Sequence, residues 1–408
     1  MKSKPLQLRS TPRLTAHLLA TPLLAICAVS CGSDDDDGGL PASAADAVQN
    51  YADIVHASYE DSLDAALELD LAIASFVAAP SAEGLDDARQ AWLESREPYL
   101  QTEVYRFYEG PIDSSDEENP GPEGLLNAWP LDENYIDYVV GGETDGIIND
   151  ADGMPTIDKA SIEAANEGIG EKSISTGYHA IEFLLWGQDT DPNGPGDRPF
   201  TDYVDGGTAE NQDRRREYLT AVSELLVDNL QSLVDAWEPD GGDNYRAEFL
   251  ALEPADALGR LMSGMIILSG FETGSERLQA ALDEQDQEEE HSCFSDNTHR
   301  DMVQDIRGVR NVWLGEYTRS DGRVVRGTSV REVIASGDSA LADRLSEEID
   351  QSLTDALALE PPFDQEIAAG NAAGNARVEA VIESLFVQTE SLEEAFQLYD
   401  LQRIPDPT

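Results

Sequence analysis

The spacing of apolar residues is the feature that most constrains what this chain can fold into. Long segments repeat apolar residues at steps of three and four, in the 208–237 segment as Leu219, Val222, Leu226, Leu230, Leu233 and Trp237. The other segments with this helical spacing are about 43–79, 82–108, 254–283, 298–316, 338–359 and 371–399. Strand-like alternation is almost absent. The sequence therefore predicts an all-α fold, in which helices of this length pack as bundles.

Two long stretches rich in Gly, Pro, Asp and Asn interrupt the helices, at 110–156 and 187–207. Loops of this length are uncommon in compact domains and are often functional. The second one opens with residues typical of a calcium-binding loop: Asp189, Asp191, Asn193 and Gly194. However, Phe200 stands where the closing bidentate glutamate belongs. Calcium binding by residues 189–197 stays open as an alternative.

The first 30 residues predict export. Four basic residues precede the apolar run "LLATPLLAICAVS", which is the layout of a secretory signal. Cys31 follows Ser30 as the lipidated cysteine of a bacterial lipobox would, whereas Cys27 follows the bulkier Ile26. We predict a lipoprotein-type signal peptide over 1–30, lipidation at Cys31 and an exported chain anchored to a bacterial membrane, at the outer membrane or the periplasmic face. An ordinary secretory signal with Cys31 free is the alternative.

The rest of the chain divides by composition. Residues 31–42 read as an acidic flexible tether, because Gly, Ser and repelling aspartates do not pack. We expect an N-terminal helical part over 43–205 and a C-terminal helical bundle over 206–408. A net charge of −56 disfavours nucleic-acid binding.

One helix carries an unusual pair of ionisable residues. The stretch "GYHAIEFLLWG" (177–187) is apolar almost all round, yet it contains His179 and Glu182. Burying a polar group costs roughly 2 to 7 kcal/mol unless it is paired. Residues three apart lie on one helix face, so the two side chains can converge. They can meet at a metal ion, at a proton to be moved, or at each other.

Four blocks in one order resemble the imelysin family, which includes iron-regulated imelysin-like lipoproteins. They are "REPYLQTEVYRFYEGPID" (96–113), "NAWPLDENYIDYV" (127–139), "GYHAIEFLLWGQD" (177–189) and "EEHSCFSDNTHRD" (289–301). The family's G-x-H-x-x-E motif is matched by Gly177, His179 and Glu182. The resemblance implies two bundle-like helical domains with a shared site between them, export with membrane anchoring, a link to bacterial iron uptake, and a peptidase label.

The blocks supply the candidate site residues. The predicted metal ligands are His179 and Glu182, with Glu103, Asp113 and His291 as further candidates. The predicted ligand pocket consists of Arg96, Tyr99, Gln101, Arg106, Trp129 and Asp132. If 82–108 is one helix, Arg96, Tyr99, Glu103 and Arg106 share a face, and an internal salt-bridge network is the alternative explanation.

The last block allows two interpretations. "HSCFSDNTH" offers His291, Cys293 and His299 as ligands, and equally a helix cap in which Ser295 or Asp296 binds free backbone amides. Imidazole and carboxylate ligands suit iron and zinc alike, so the metal stays open between the two.

Three functions remain in competition. No second histidine lies within a turn of His179, as the common helical zinc peptidases require. We therefore expect a non-catalytic lipoprotein that binds a divalent metal or an iron complex between helical domains and serves iron uptake, together with membrane components of that process. The alternative is an imelysin-type metallopeptidase that uses Glu182 as ligand or general base. The third is a structural surface module.

Overall fold

The long helices predicted from apolar spacing form the frame of a computed structural model, which describes residues 39–116 and 120–403. The helices are α1 Ser43–Ala78, α2 Ala82–Leu100, α3 Glu123–Leu126, α4 Glu133–Ile136, α5 Lys159–Ala165, α6 Gly177–Trp186, α7 Gln212–Trp237, α8 Tyr245–Leu250, α9 Pro254–Ile267, α10 Ala280–Glu284, α11 Thr298–Leu314, α12 Val330–Gly337, α13 Ser339–Ala356, α14 Phe363–Ile367 and α15 Ala372–Leu398. The all-α prediction is confirmed.

Several short elements complete the chain. Three 3₁₀ turns lie at Glu103–Tyr105, Phe200–Tyr203 and Gln287–Glu289, and a π-helical segment, Leu268–Gln279, joins α9 to α10. The strands β1 Glu316–Thr318 and β2 Val324–Arg326 pair antiparallel, with Tyr317 opposite Val325.

The predicted helix over 82–108 is too long, because α2 ends at Leu100. There the chain tightens, since the backbone amide and the hydroxyl of Thr102 both donate to the carbonyl of Tyr99. Glu103 then lies in a 3₁₀ turn and Arg106 lies beyond it. The single helical face predicted for Arg96, Tyr99, Glu103 and Arg106 therefore does not exist.

The core is built around α1, which packs against both α2 and α7, while α15 packs against α13 and the π-helical segment. Described residues on both sides of the predicted 205/206 boundary belong to one compact unit. The division into two helical-bundle domains is therefore not confirmed. Within the described part of the chain, no helix is long and apolar enough to cross a membrane. The predicted signal peptide, Cys31 and most of the 31–42 tether lie outside the described residues.

A buried ion cluster fastens the two long loops to α7. Asp137 accepts hydrogen bonds from Arg198 at 2.6 Å and from Arg215 at 2.7 and 2.8 Å, and all three side chains are buried. One carboxylate thus holds an arginine from the loop and another from the helix. Because α6 packs against α7, this cluster also steadies the helix that carries His179.

The first residue of α6 has to be glycine. Gly177 has φ +81°, and a Cβ there would lie 2.4 Å from the carbonyl oxygen of Leu126. A side chain would meet both the strained backbone and the close neighbour. The glycine of the G-x-H-x-x-E pattern therefore lets α6 start directly against α3.

Candidate functional site

His179 and Glu182 meet on α6, as their spacing predicts. His179 Nδ1 lies 3.0 Å from Glu182 Oε2, and all ten residues of the helix are buried. The buried hydrogen bond that the sequence offered as an alternative to a metal site is therefore present.

Glu182 is held at its other oxygen as well. The backbone amide and the hydroxyl of Ser295 donate to Oε1 at 2.9 and 2.7 Å. Burial raises the pKa of Glu182 to about 8 despite these bonds, and burial lowers the pKa of His179 well below its usual range. The imidazole is therefore neutral, and one proton lies between Nδ1 and Oε2.

Within the part of the chain that the structure describes, the second nitrogen of His179 has no hydrogen-bond partner. Nε2 is buried and accepts or donates no hydrogen bond. Two rings pack on the imidazole, Trp129 at 4.9 Å and His291 at 5.0 Å between centroids. A buried polar atom without a partner costs free energy, so this nitrogen marks a place where a further group would be stabilised.

A second histidine is oriented beside the first. His291 Nδ1 lies 2.7 Å from Asp301 Oδ2, and Asn127 Nδ2 lies 3.4 Å from His291 Nε2. These contacts are satisfied when His291 carries its proton on Nδ1, where it donates to the carboxylate. Burial lowers the pKa of His291 to about 4, so this imidazole is neutral too.

Asp301 is the central acceptor of a hydrogen-bond network beside the two histidines. Besides His291, its Oδ2 accepts from the Ser292 hydroxyl at 2.5 Å and from Arg96 at 3.3 Å, and Arg96 also donates to Asn127 Oδ1 at 2.6 Å. Arg96 and His291 hold the pKa of Asp301 well below its usual range against the effect of burial. Arg96 is in turn stacked within 5.0 Å of the Tyr178 ring.

Glu103 anchors a neighbouring network of buried charges. Its Oε2 accepts from Arg106 at 2.7 Å and from Arg277 at 2.6 Å. Burial raises its pKa, but the two arginines outweigh that effect and bring the pKa to about 2. Arg277 also binds Asp305 at 2.8 Å and Glu272 at 3.1 Å. This is the salt-bridge network that the sequence allowed as an alternative for the first block.

The two networks border a cavity of about 440 Å³. Trp129 and His291, the rings that pack on His179, are part of its wall. Two arginines and six glutamates complete the charged lining: Arg106, Arg277, Glu123, Glu167, Glu171, Glu272, Glu276 and Glu289. Because both arginines are already paired with carboxylates, the cavity has an excess of negative charge.

Other predicted residues are engaged elsewhere. Gln101 accepts from Asn311 at 2.9 Å and so joins α2 to α11. Asp113 accepts from the backbone amides of Phe107 and Gly110 within its own loop. Asp132 is exposed and caps α4 through the amide of Asn134 at 3.2 Å. None of the three contacts His179 or Glu182 among the described residues. Tyr99 is buried, and its ring lies 4.7 Å from that of Tyr178.

The predicted cap before α11 is wrong. The cap residue is Asn297, which makes no side-chain cap bond, and Ser295 binds Glu182 instead. His299 is half-buried and binds the carbonyl of Asp296 at 3.1 Å, and the thiol of Cys293 is buried.

Four important residues were not singled out from the sequence: Asn127, Asp301, Arg277 and Asp305. The first two lie inside the quoted blocks, where polar residues among apolar ones were the available signal. The other two lie on the π-helical segment and on α11, in stretches whose apolar spacing predicted ordinary helices, so nothing in the sequence marked them. In residues 39–116 and 120–403, no three His, Cys, Asp or Glu side chains are already grouped to hold a metal ion.

Fold and site together define an all-helical protein with a buried histidine–carboxylate pair behind an acidic cavity. The family model of imelysin, peptidase M75, matches residues 55–392, and the chain belongs to that family. Iron-regulated protein A of Synechococcus elongatus is 26% identical over 332 residues, which cover 79% of this chain and 78% of the relative.

Two crystal structures share the fold. One is the structure of a protein from Parabacteroides distasonis described as a precursor of iron-regulated protein A. Its TM-score is 0.68 at 19% sequence identity, and the match covers 89% of this chain and 97% of that protein. The other is an imelysin-like protein from Psychrobacter arcticum, with a TM-score of 0.61 at 13% identity and coverage of 90% and 99%.

Proposed function

We propose that this protein binds a metal ion or iron complex in the cavity beside His179 and serves bacterial iron acquisition. The observation that carries the proposal is the unpartnered Nε2 of His179, buried behind the wall that Trp129 and His291 form. The iron-related part is supported by the relative from Synechococcus elongatus, which is named for its regulation by iron.

The charge of the cavity favours a cation. Six glutamates and two arginines line it, and both arginines share Glu103, while Arg277 also pairs with Asp305, so the lining keeps an excess of negative charge. An anionic chelate would meet repulsion from the unpaired carboxylates, whereas a ferrous, ferric or zinc ion would be attracted. Imidazole and carboxylate groups suit these metals.

A bound ion would use groups that already lie close together. His291 lies on the cavity wall with Nε2 free of a proton, and His179 packs against it. Because the described side chains are not grouped as a finished metal site, binding requires the glutamates of the lining to close on the ion. The cation would supply the positive charge that the cavity lacks.

The test is direct titration of the purified full chain with Fe²⁺, Fe³⁺, Zn²⁺ and haem, followed by calorimetry and metal analysis. We expect a metal ion to bind and the His179→Gln variant to bind at least about tenfold more weakly, which corresponds to about 1.4 kcal/mol. His56→Gln is the matched control, since His56 pairs with Glu238 at 3.2 Å outside the site. Absence of binding, or equal binding by the two variants, would overturn the proposal.

An imelysin-type metallopeptidase is the second candidate, since the family carries a peptidase name. In that function Glu182 would act as base or ligand, although both its oxygens are occupied by His179 and Ser295. A protein substrate panel with and without chelator decides between the two. Cleavage that is lost in Glu182→Gln supports the peptidase, and cleavage that persists removes this site from consideration.

The cellular setting is part of the proposal. We propose that the protein is exported and lipid-anchored at Cys31. The cavity would then lie at the outer membrane or the periplasmic face, beside membrane components of iron uptake. Mass spectrometry of the natively expressed protein tests this, because an N-terminal diacylated Cys31 has a distinct mass. A mature chain that starts elsewhere would contradict it.

A further inference from the structure

A second group of carboxylates lies where three segments meet. The side chain of Gln287 donates to the carbonyl of Asp189 at 2.7 Å, and the side chain of Gln365 donates to the carbonyl of Pro192. The amide of Gly196 donates to the carbonyl of Phe294 at 2.9 Å. These bonds tie the 187–207 loop to the segment before α11 and to α14. We call the four buried carboxylates at this junction the junction cluster: Asp189, Glu290, Asp296 and Asp364.

Glu290 is the central member of the junction cluster. Its side chain is fully buried, and among the described residues neither carboxylate oxygen has a hydrogen-bond partner of normal geometry. The nearby Thr298 hydroxyl lowers the pKa of Glu290 against the effect of burial. The charged groups that act on it are the carboxylates of Asp296, Asp364 and Asp189, so Glu290 lies near the other members of the cluster.

The other members lack partners as well. In residues 39–116 and 120–403, both oxygens of Asp296, Oδ2 of Asp189 and Oδ1 of Asp364 are buried and find no hydrogen-bond partner. No arginine, lysine or histidine forms an ion pair with any of the four within the described chain, although nearly every other buried carboxylate described above has an arginine. Burial and mutual repulsion raise the pKa of Glu290 well above its usual range, that of Asp296 to about 7 and that of Asp189 to about 6.

Four buried carboxylates without a counter-charge are costly, because an unpaired charge taken out of water loses its solvation. Either protons or a cation must supply the missing positive charge. The available ligands are carboxylate oxygens, without imidazole or thiolate, and such hard ligands suit Ca²⁺, which takes six to eight oxygens at about 2.3 to 2.6 Å.

We propose that the junction cluster is a calcium site. The 187–207 loop contributes Asp189, in the opening that its sequence shares with calcium loops. The loop has Phe200 at the position where a calcium loop has its last ligand, a glutamate. Glu290 and Asp296, from the segment before α11, would supply the missing carboxylates, and Asp364 of α14 would be a further ligand. Because the carboxylates are not already grouped around one point, the side chains must rotate toward the ion as it binds.

The junction cluster is separate from the cavity beside His179. Glu290 has an extended backbone, with φ −74° and ψ 141°. Successive side chains of extended chain point to opposite sides, so His291 faces the cavity while Glu290 faces the cluster. A calcium ion there would fix the segment that holds His291 and Ser295 without touching either side chain.

The test compares calcium binding and thermal unfolding of the full chain after removal of divalent ions with EDTA. Calorimetric titration with CaCl₂ should give one site with a Kd in the range of about 10⁻⁵ to 10⁻³ M, and Ca²⁺ should raise the Tm. Glu290→Gln should bind at least about tenfold more weakly (about 1.4 kcal/mol) and lose the calcium-dependent rise. Glu284→Gln, an exposed glutamate on α10, is the matched control and should behave as the wild type.

Comparing the unfolding temperatures of the variant and the wild type with and without Ca²⁺ separates a binding defect from a folding defect. Without Ca²⁺, Glu290→Gln should unfold at the same temperature as the wild type or higher, because a neutral amide of the same shape replaces a buried carboxyl group that has no counter-charge. Absence of calcium binding, equal weakening in Glu284→Gln, or equal binding of Mg²⁺ would overturn the proposal. So would a Glu290→Gln variant that keeps the full calcium response.

Discussion

Replacing Asp301 with asparagine should strongly destabilise the protein. The carboxylate binds His291, Ser292 and Arg96 through one oxygen and is fully buried. The amide side chain would keep the shape but remove the charge, which leaves the buried guanidinium of Arg96 without the carboxylate that balances it. Breaking a buried ion pair at one partner typically costs 3 to 5 kcal/mol, so we expect a loss of about 3 to 5 kcal/mol in the free energy of unfolding at neutral pH.

Asp305→Asn is the matched control. Asp305 lies one turn along α11, is equally buried and binds Arg277 at 2.8 Å. Its arginine, however, keeps Glu103 and Glu272 as partners after the substitution. We therefore expect Asp305→Asn to cost less than about 2 kcal/mol. Both values come from urea denaturation followed by circular dichroism.

The two substitutions should respond to pH with opposite sign. The pKa of Asp301 is depressed in the fold, so its contribution is present above the ordinary pKa of about 4 and is lost as the pH falls. The pKa of Asp305 is raised to about 7, so its contribution is largest in acid and is lost as the pH rises through 7. The cost of Asp301→Asn should stay constant between about pH 7 and about pH 4 and shrink below about pH 4, whereas that of Asp305→Asn should grow as the pH falls from about 7 to about 4. If Asp301→Asn costs no more than Asp305→Asn at pH 7, the account of the network is wrong.

Three further predictions concern single positions. Gly177→Ala should lower the free energy of unfolding by about 2 to 4 kcal/mol, because its backbone is left-handed and the carbonyl oxygen of Leu126 lies too close for a side chain. Gly170→Ala is the control and should change little, because the space around Gly170 is open. Thermal unfolding measures both. Cys293 is buried with a raised pKa, so a thiol reagent should modify it only after urea unfolds the chain, and rapid native labelling would contradict its burial. Asp137→Asn should cost about 3 to 5 kcal/mol in urea denaturation, because two buried arginines lose their carboxylate; a loss below about 1 kcal/mol would show that they find other partners.

The long helices could be predicted from the sequence because burial of one helix face alone produces the periodic spacing of apolar residues. Each amphipathic helix buries one face, so its apolar residues repeat with the helical period whatever the helix packs against. That is why α1, α7 and α15 begin and end close to their predicted limits. The end of α2 was missed because a local side-chain bond from Thr102, which has no periodic signature, closes the helix.

The candidate site could be predicted only where its residues are neighbours on one helix. The spacing of His179 and Glu182 dictates that they meet, and they do. The pairing of Arg277 with Glu103 and Asp305 joins three distant segments, and charge alone does not tell which of many carboxylates an arginine selects. Ser295 shows the same limit, because its hydroxyl could cap a helix or bind Glu182, and the tertiary fold decides.

The π-helical segment makes the charge network sensitive to chain length. In Leu268–Gln279, Glu272 and Arg277 are five residues apart, and this spacing brings them into contact at 3.1 Å because a π-helix bonds each residue to the fifth along the chain. Removing one residue from α9, which runs directly into this segment, would turn Arg277 by about 100° about the helix axis, away from Glu103. A loop can absorb such a deletion, whereas here the change of register would rotate every side chain that follows on the same helix.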